Sequence, residues 1–352
     1  MKQQLLLITP PFTQLNTPYP ATAYLKGFLN TQNVVSYQAD LGIEVILALF
    51  SAKGLTQMFN HLEALDLELS ENAYRIYALQ HEYIKTIDPV IHFLQNKNST
   101  LAHAVCDRTY LPEASRFAQI EDLDWAFGTM GIQDKARHLA TLYLEDLGDL
   151  ITEAIDPYFG FSRYAERLGR TASHFDELQD ALLAPDSFIA AILVNILQQK
   201  LEQYNPTTVC LSVPFPGNLF GALKCGQYIK RTHPHIKVVL GGGYANTELR
   251  SLNDPHVFDF IDYVSLDDGE APLKFLIEHL ENNRLATNLK RIYMRQGDTV
   301  VYCNGAKEKD VAQRETGTPD YSDLLTDEYL SVIEVANPMH RLWSDGRWNK
   351  LT

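Results

Sequence analysis

The densest group of side chains able to take part in chemistry is the acidic stretch Asp267-Asp268-Gly269-Glu270. It directly follows the apolar segment from Phe260 to Leu266, a pattern typical of a buried strand. Carboxylates in this position can bind ligand amides, ribose hydroxyls or a cation. The alternative is a structural role, in which the carboxylates begin the next helix and interact with its positive end. The residue types alone favour neither interpretation.

A second unusual loop contains three consecutive glycines, Gly241, Gly242 and Gly243, followed by Tyr244. It continues the segment Lys237–Leu240, which has the β-branched, apolar pattern of a strand buried on both faces. Glycines let the backbone come close to a partner, and they remove side chains that would block a large flat ligand. The alternative is a tight strand-to-helix turn that binds nothing.

Two further strand candidates also end in loops of unusual composition. Leu5–Ile8 is followed by Thr9-Pro10-Pro11, and Thr208–Leu211 is followed by Ser212-Val213-Pro214. Because the carboxyl ends of parallel strands meet at one edge of a sheet, we expect all four loops to form one ligand site. The predicted cofactor-binding residues are Thr9, Pro10, Pro11, Ser212, Val213, Pro214, Gly241, Gly242, Gly243, Tyr244, Asp267, Asp268, Gly269 and Glu270.

Loops rich in proline, glycine and small hydroxyl residues suit a broad ligand with amide and phosphate groups better than proton transfer. The sequence contains no convincing catalytic triad order, phosphate-loop motif or pair of catalytic carboxylates, and no G-x-G-x-x-G follows the first strand. Its four cysteines, Cys106, Cys210, Cys225 and Cys303, are not at metal-ligand spacing. We therefore predict no catalytic residue and no metal ligand in this chain.

The elements that carry these loops alternate as strand and helix, which predicts an α/β fold with a doubly wound, five-stranded parallel sheet. The pattern stops near Asp40 and resumes at Ser187, which can cap the helix that follows it. Asn218 is predicted to cap a second helix in the same way. The predicted organisation is an α/β domain of residues 1–41 and 187–285, an all-helical insertion of residues 42–186, and, over residues 286–352, a β-hairpin with its turn at Gln296-Gly297-Asp298 and an irregular tail.

Composition limits the classes of function. Of the 352 residues, 45% are hydrophobic and 21% are charged, and the formal net charge is −14, which argues against nucleic acid as a partner. Between Gly42 and Asp186 the acidic residues outnumber the basic ones 23 to 11, so the insertion carries most of this charge. The apolar run before Pro10 is too short for a signal sequence or a membrane span. We therefore expect a cytoplasmic protein without a membrane partner.

Four motifs taken together resemble a set of radical S-adenosylmethionine proteins that carry an N-terminal cobalamin-binding-type domain. The motifs are Ser212-Val213-Pro214-Phe215-Pro216-Gly217-Asn218, Val239-Leu240-Gly241-Gly242-Gly243-Tyr244, Asn246-Thr247-Glu248-Leu249-Arg250 and Asp267-Asp268-Gly269-Glu270. The resemblance covers residues 1–41 and 187–280 well and the tail more loosely. Each motif alone is weak, whereas the set is specific.

The resemblance implies a flavodoxin-like sheet with cobalamin lying over the four loops and its nucleotide tail passing between strands. It also implies that the chain presents this cofactor to a downstream radical S-adenosylmethionine barrel, which holds a [4Fe-4S] cluster and S-adenosylmethionine. Many such domains supply a histidine to cobalt from the loop after the first strand. Here that loop reads Pro10-Pro11-Phe12-Thr13-Gln14-Leu15-Asn16, so cobalamin is expected to bind without histidine ligation.

The cysteine motif of radical enzymes, C-x3-C-x2-C, is absent from this sequence. The last segment, Trp348–Thr352, resembles the barrel strand that leads into that motif, so we expect this chain to be an N-terminal part of a longer enzyme and not catalytic by itself. Two alternatives stay open. The chain is a cofactor-free scaffold of the same fold, or, in a weaker interpretation, a nucleotide-sugar-binding transferase.

Overall fold

A computed structural model describes residues 2–119, 131–170 and 175–333. It is an α/β structure built on one seven-stranded mixed sheet with the order β2-β1-β3-β4-β5-β6-β7. The strands are β1 (Gln4–Thr9), β2 (Val35–Asp40), β3 (Thr208–Ser212), β4 (Lys237–Gly241), β5 (Tyr263–Ser265), β6 (Ile292–Gln296) and β7 (Thr299–Cys303).

The α-helices within the described residues are numbered in chain order. They are α1 (Ala21–Thr31), α2 (Leu41–Leu49), α3 (Ala52–Leu65), α4 (Glu71–Ala78), α5 (Gln80–Leu94), α6 (Leu101–Cys106), α7 (Ile132–Ala154), α8 (Glu166–Arg170), α9 (Phe175–Leu183), α10 (Phe188–Tyr204), α11 (Leu219–Thr232), α12 (Gly243–Glu248) and α13 (Glu270–Leu280).

The first strand lies in the middle of the sheet. Strand β1 pairs in parallel with β2 on one side and with β3 on the other, and the side chains of Leu5 to Ile8 are completely buried. Strands β3, β4 and β5 continue the parallel pairing. The continuous apolar run in the sequence reflects this position, because a strand covered on both faces has no solvent side that needs polar residues.

The sheet is larger than the predicted five-stranded parallel one, because the hairpin extends it. Strand β6 pairs antiparallel with β5, and β7 pairs antiparallel with β6. The hairpin turn is at Gly297, which has a φ of +61°, in the Gln296-Gly297-Asp298 segment where the sequence predicts it. The edge of β5 offers unpaired backbone N–H and C=O groups, and the hairpin satisfies them.

The chain divides into two compact units. The first consists of Met1–Gln14, Pro18–Ile46 and Tyr158–Thr326 and contains the sheet. The second consists of Leu15–Thr17, Leu47–Pro157 and the described residues from Asp327 onwards. The predicted insertion runs to residue 186, whereas the second unit leaves the helices α8 and α9 with the sheet.

The second unit is helical, with its longest helix, α7, packed through buried aromatic rings. Tyr143 of α7 stacks on Tyr83 of α5 with ring centroids 5.0 Å apart, and its hydroxyl lies 3.0 Å from the hydroxyl of Thr86. Asp146, also on α7, is completely buried. Its carboxylate accepts hydrogen bonds from the backbone N–H groups of Ala114 and Arg116, at 2.9 and 3.0 Å.

Two capping predictions have different outcomes. Ser187 caps α10 as predicted, because its hydroxyl accepts a hydrogen bond from the N–H of Ala190 at 3.1 Å. The Asn218 prediction is wrong: its side chain makes no capping hydrogen bond to α11. Its amide instead donates to the carbonyl oxygens of Pro10 and Phe12, at 2.9 and 2.7 Å, since these buried carbonyls need a donor.

The predicted strand Trp348–Thr352 lies outside the described residues. Among the residues that are described, no single helix is both long and apolar enough to cross a membrane. Two bent helix pairs, α2 with α3 and α9 with α10, pass this test of length and composition only when the two helices of each pair are counted together.

Candidate functional site

A cavity of about 310 Å³ opens at the edge of the sheet where the parallel strands end. Its walls come from the carboxyl ends of β1, β3, β4 and β5 and from the first turns of α1 and α13. Of the predicted site residues, eight line this cavity. They are Ser212, Gly241, Gly242, Gly243, Asp267, Asp268, Gly269 and Glu270.

The floor of the cavity is one face of the sheet and is apolar. Leu7, Cys210 and Val239 contribute from three adjacent strands, and Leu25 and Leu273 contribute from the two helices that cover this face. Gly241 is two residues after Val239 in β4, so its missing side chain belongs to the same face. A bulky residue at position 241 would therefore project into the cavity.

The three glycines have different surroundings. A β-carbon on Gly241 would meet its nearest neighbour, the carbonyl oxygen of Ser265, at 3.6 Å, which is an ordinary contact. Gly242 has a φ of +103°, and a β-carbon there would lie 2.6 Å from the carbonyl oxygen of Val213. A β-carbon on Gly243 would lie 2.8 Å from the carbonyl oxygen of Pro214. The last two glycines are thus required by the fold, and only Gly241 leaves space for a ligand.

Two hydroxyl groups in the cavity wall have no hydrogen-bond partner. Thr22, in the first turn of α1, is 1% exposed, and its Oγ1 atom is buried and unpartnered. Ser265, at the end of β5, also has a buried Oγ atom without a partner. Both residues line the cavity. Burying an unpaired hydroxyl costs free energy, and both oxygen atoms have almost no accessible surface.

Two helices begin at the cavity without a side-chain cap. Pro20 precedes α1 and Gly269 precedes α13, and neither makes a side-chain hydrogen bond to the first turn. Each helix has 11 residues, which is long enough for an appreciable dipole. The positive end of α1, which has no acidic residue in its first turn, is favourable for an anionic group, whereas Glu270 already places a negative charge in the first turn of α13.

The acidic cluster divides into a structural residue and two residues free for other contacts. Asp267 is paired with Arg250 and lies 3.5 Å from Arg291, and its backbone N–H donates to Asn246 at 2.6 Å. These contacts hold the loop between β5 and α13. Asp268 is exposed, and Glu270 is in the first turn of α13, where its charge favours the helix dipole.

The loop after β1 is placed differently from the cavity residues. Thr9 is 1% exposed, Pro10 and Pro11 are buried, and none of the three lines the cavity. Asn218 ties this loop to the start of α11 through its two hydrogen bonds. The sequence contains no sign of this link, because it joins residues about 200 positions apart.

The remaining predicted residues are Val213, Pro214 and Tyr244, which lie on the side of the glycine loop away from the main cavity. Val213 is completely buried, and Tyr244 is 1% exposed with its hydroxyl donating to the carbonyl oxygen of Gly169 at 3.0 Å. Tyr244 and Leu240 line a second, smaller cavity of about 160 Å³. The main cavity is therefore not lined by Val213, Pro214 or Tyr244. These residues pack against the glycine loop instead.

Exposed aromatic side chains lie in the loop after β3 and in α1. Phe215, after β3, is 54% exposed and packs edge-on against Tyr19 with ring centroids 5.9 Å apart. Tyr24, in α1, is 50% exposed and lines the cavity. Large exposed rings of this kind offer flat apolar surface to a ligand.

The sequence did not identify several of the cavity residues, some of which lie in helices and some in strands. Thr22, Leu25 and Leu273 lie in helices, and Ser265 precedes the predicted acidic loop by two residues. The helical spacing of Leu25 and Leu273 indicates only that these residues face the sheet. Ser265 was within reach of sequence reasoning, because it is a polar residue at the end of an apolar strand.

Of the described residues in the cavity wall, Cys210 is the one that carries a thiol. Burial raises the pKa of this thiol to about 12, so it stays protonated near neutral pH. Across the described residues, no group of three or more His, Cys, Asp or Glu side chains is placed to hold a metal ion.

No family model and no curated protein matches this chain. Among solved structures, a sugar ABC transport system substrate-binding protein from Bordetella parapertussis 12822 is similar at 11% sequence identity and a TM-score of 0.16. The alignment covers 88% of this chain and 96% of that chain. A TM-score this low carries no argument about fold or function.

Proposed function

We propose that this chain is the cobalamin-binding-type part of a radical S-adenosylmethionine enzyme and that its parallel strands form a flavodoxin-like sheet. The strand order β2-β1-β3-β4-β5 supports this, because the chain reverses direction across the sheet between β1 and β3. Ligands of doubly wound sheets bind at such a switch point, beyond the carboxyl ends of the strands. The observation that carries the proposal is the cavity at this switch point.

The residues of the cavity fit the nucleotide tail of a corrinoid. The apolar floor of Leu7, Cys210 and Val239 suits a planar base, and the uncapped first turn of α1, which has no acidic residue, suits a phosphate. A whole corrin ring is too wide for a cavity of about 310 Å³, so the ring is assigned to the surface above the glycine loop. Because Gly241 has no side chain, it leaves room for the ligand between the cavity and the surface above the glycine loop.

A bound corrinoid supplies a cobalt atom that forms and breaks metal–carbon bonds. This chain's own residues bind and orient it. Among the described residues that line the cavity there is no histidine, and Pro10 and Pro11 in the loop after β1 are buried. We therefore propose binding without a histidine ligand to cobalt. The [4Fe-4S] cluster and S-adenosylmethionine belong in this proposal to a downstream barrel of the same polypeptide.

The cavity provides the test of this proposal. Cobalamin added to the protein should stay bound through gel filtration and be visible by its absorbance. Replacing Gly241 with Leu should weaken binding at least tenfold, because the side chain fills the cavity next to Val239. Gly241→Ala is the matched control, since its β-carbon meets nothing closer than 3.6 Å.

Circular dichroism of both variants establishes that the fold is kept. Equal cobalamin affinity for folded Gly241→Leu and the unmodified protein would remove this cavity as the site. No affinity in the unmodified protein would contradict cobalamin binding and leave the cofactor-free scaffold. Two observations favour that second candidate: the missing histidine, and the burial of Thr9, Pro10 and Pro11 beneath the contacts of Asn218.

A further inference from the structure

The last stretch that the structure describes, residues 328–333, is held by the second, helical unit although it forms little regular structure. Residues 329–333 are in neither helix nor strand, and they belong to that unit. Their backbone N–H and C=O groups therefore need partners from elsewhere in the unit, because burying such groups unpaired costs free energy. We call residues 328–333 the C-terminal strap.

Backbone hydrogen bonds hold the strap at three of its residues. Its N–H groups donate to acceptors in the same unit: Leu330 to the carbonyl oxygen of Leu15, Ser331 to the carbonyl oxygen of Leu94, and Ile333 to the hydroxyl of Thr141, at 2.8, 2.8 and 2.9 Å. The carbonyl oxygen of Ile333 accepts a hydrogen bond from Nδ1 of His138 at 3.2 Å. Leu94 ends α5, whereas His138 and Thr141 lie in α7, so two helices bind one short segment.

The side chains of the strap add a buried anchor and an acidic contact. Leu330 is completely buried, and Tyr329 is 7% exposed. The Glu328 carboxylate accepts a hydrogen bond from the Gln95 amide at 2.9 Å and pairs with Lys97 at 2.7 Å. The Lys97 and Glu328 side chains are 39% and 35% exposed, so water weakens this ion pair. The two buried side chains therefore contribute more to the attachment than the ion pair does.

We infer that the helical unit is a docking module for a peptide segment, and that its occupant is the C-terminal strap of the same chain. In peptide recognition, main-chain hydrogen bonds supply affinity, and pockets for side chains supply specificity. The strap meets both conditions in this unit. The inference goes beyond the proposed function and needs no cofactor. If that function holds, the helical unit fixes the point from which the chain continues towards the downstream barrel.

The exposed residues just before the strap allow this inference to be tested by cutting the chain. Leu325, Thr326 and Asp327 are exposed, and the boundary between the two compact units falls between residues 326 and 327. The chain before them is held separately in the first unit, where the N–H of Asp320 donates to the carbonyl oxygen of Ala23 at 3.0 Å. A cut at this boundary therefore removes the covalent connection and leaves the contacts of the strap in place.

The experiment inserts the recognition sequence of a site-specific protease between Thr326 and Asp327 of the full chain. Circular dichroism before cleavage shows that the fold is kept. After complete cleavage, we expect the fragment that begins at residue 327 to stay with the rest of the protein through gel filtration, because the strap binds without the covalent connection. Mass spectrometry of the protein peak over time measures the fraction retained and the rate of dissociation.

Variants assign the retention to the strap and its docking surface. Leu330→Ala should speed dissociation of the fragment at least tenfold, because it truncates a completely buried side chain. Leu325→Ala is the matched control and should leave the rate unchanged, since this leucine is 43% exposed. Thr141→Val keeps the shape of the side chain but removes the acceptor for the N–H of Ile333, so it should speed dissociation several fold.

Hydrogen exchange on the uncut, unmodified protein gives an independent readout. The backbone amides of Leu330, Ser331 and Ile333 should be protected, and those of Leu325 and Asp327 should exchange faster. Rapid exchange at the three strap amides, or loss of the fragment from the cleaved unmodified protein, would overturn the inference. Equal retention in Leu330→Ala and the unmodified protein would also overturn it, because residues after 333 would then hold the fragment. None of these measurements involves cobalamin, so a failure here is distinct from a failure of the proposed function.

Discussion

At the scale of single residues, the glycine run shows that three identical neighbours serve different purposes. Gly242 needs its positive φ, and Gly243 has the carbonyl oxygen of Pro214 against it. Gly241 has neither constraint, and it borders the cavity. From the sequence, all three glycines are predicted to bind a ligand. The structure assigns two of the three glycines to the backbone contact between the loops after β3 and β4.

The first prediction compares two alanine substitutions in this run. Gly242→Ala should lower the free energy of unfolding by about 1–3 kcal/mol, because its φ of +103° with a ψ of −175° is a conformation that alanine avoids. Gly241→Ala should have little effect. Urea unfolding followed by circular dichroism measures both. Equal stability of the two variants would mean that the backbone at Gly242 is not constrained.

The difference between Gly241 and Gly242 also determines which of the two positions can test ligand binding in the cavity. A bulky residue at Gly242 would disturb the contact with Val213, so a loss of ligand binding there would report on folding. The same side chain at Gly241 would occupy ligand space. Position 241 is therefore the informative one for cofactor binding.

At the scale of secondary-structure elements, α7 holds a chain segment through a buried charge. Asp146 is completely buried, and its two oxygens accept hydrogen bonds from the backbone N–H groups of Ala114 and Arg116. Burial is the main cause that raises the pKa of this carboxyl from 3.8 to about 6, although both hydrogen bonds lower it. The carboxylate thus positions residues 114–116 at a cost in desolvation.

The second prediction is a pH dependence of stability that comes from Asp146. A carboxyl whose pKa is higher in the folded state binds its proton more tightly there. Its contribution to stability is complete below about pH 4 and is lost as the pH rises through about 6. The difference in pKa corresponds to a change on the order of 3 kcal/mol. The unmodified protein should therefore gain stability relative to Asp146→Asn between pH 7 and pH 4.

Thermal unfolding followed by circular dichroism across this pH range measures the difference between the two proteins. Asp134→Asn is the control on the same helix, because the Asp134 side chain is 53% exposed. The control should keep the pH profile of the unmodified protein. A constant difference in stability between Asp146→Asn and the unmodified protein from pH 4 to pH 7 would contradict the prediction.

At the scale of the whole molecule, the cysteines are distributed in a way that does not favour an iron–sulfur cluster. Cys106 is in α6 of the helical unit, and the other three belong to the unit that contains the sheet. Burial raises the pKa of both Cys210 and Cys225 to about 12 and also raises the pKa of Cys303. Iron–sulfur clusters are bound by thiolates, which these groups do not form readily.

The third prediction follows from this distribution. Anaerobic reconstitution of the chain with iron and sulfide should leave no stable four-iron species after desalting. Iron and sulfide content and the visible absorbance spectrum measure the outcome. Cys106→Ser should show the same low background, since Cys106 is the cysteine that is not fully buried. A stoichiometric cluster would contradict the assignment of this chemistry to a downstream barrel.

Local pattern was sufficient for the elements whose stability depends on neighbouring residues. The apolar run Leu5–Ile8 predicts a strand buried on both faces, since no polar residue interrupts it. Ser187 predicts a helix start, and Gly297 predicts the turn of the hairpin, because each effect acts within three or four residues. Of the fourteen predicted site residues, eight line one cavity, and all eight come from the loops that end β3, β4 and β5; the predicted residues of the loop after β1 do not line it.

Only the tertiary structure decides the features that join distant parts of the chain. Asn218 resembles a helix cap in sequence, but the buried carbonyls of Pro10 and Phe12 take its two donors. The hairpin extends the sheet to seven strands because β5 has a free edge for β6. Thr22 and Ser265 line one cavity only after α1 and β5 come together. Periodicity and turn chemistry act over a few residues, whereas hydrogen-bond satisfaction and cavity shape depend on the whole packed chain.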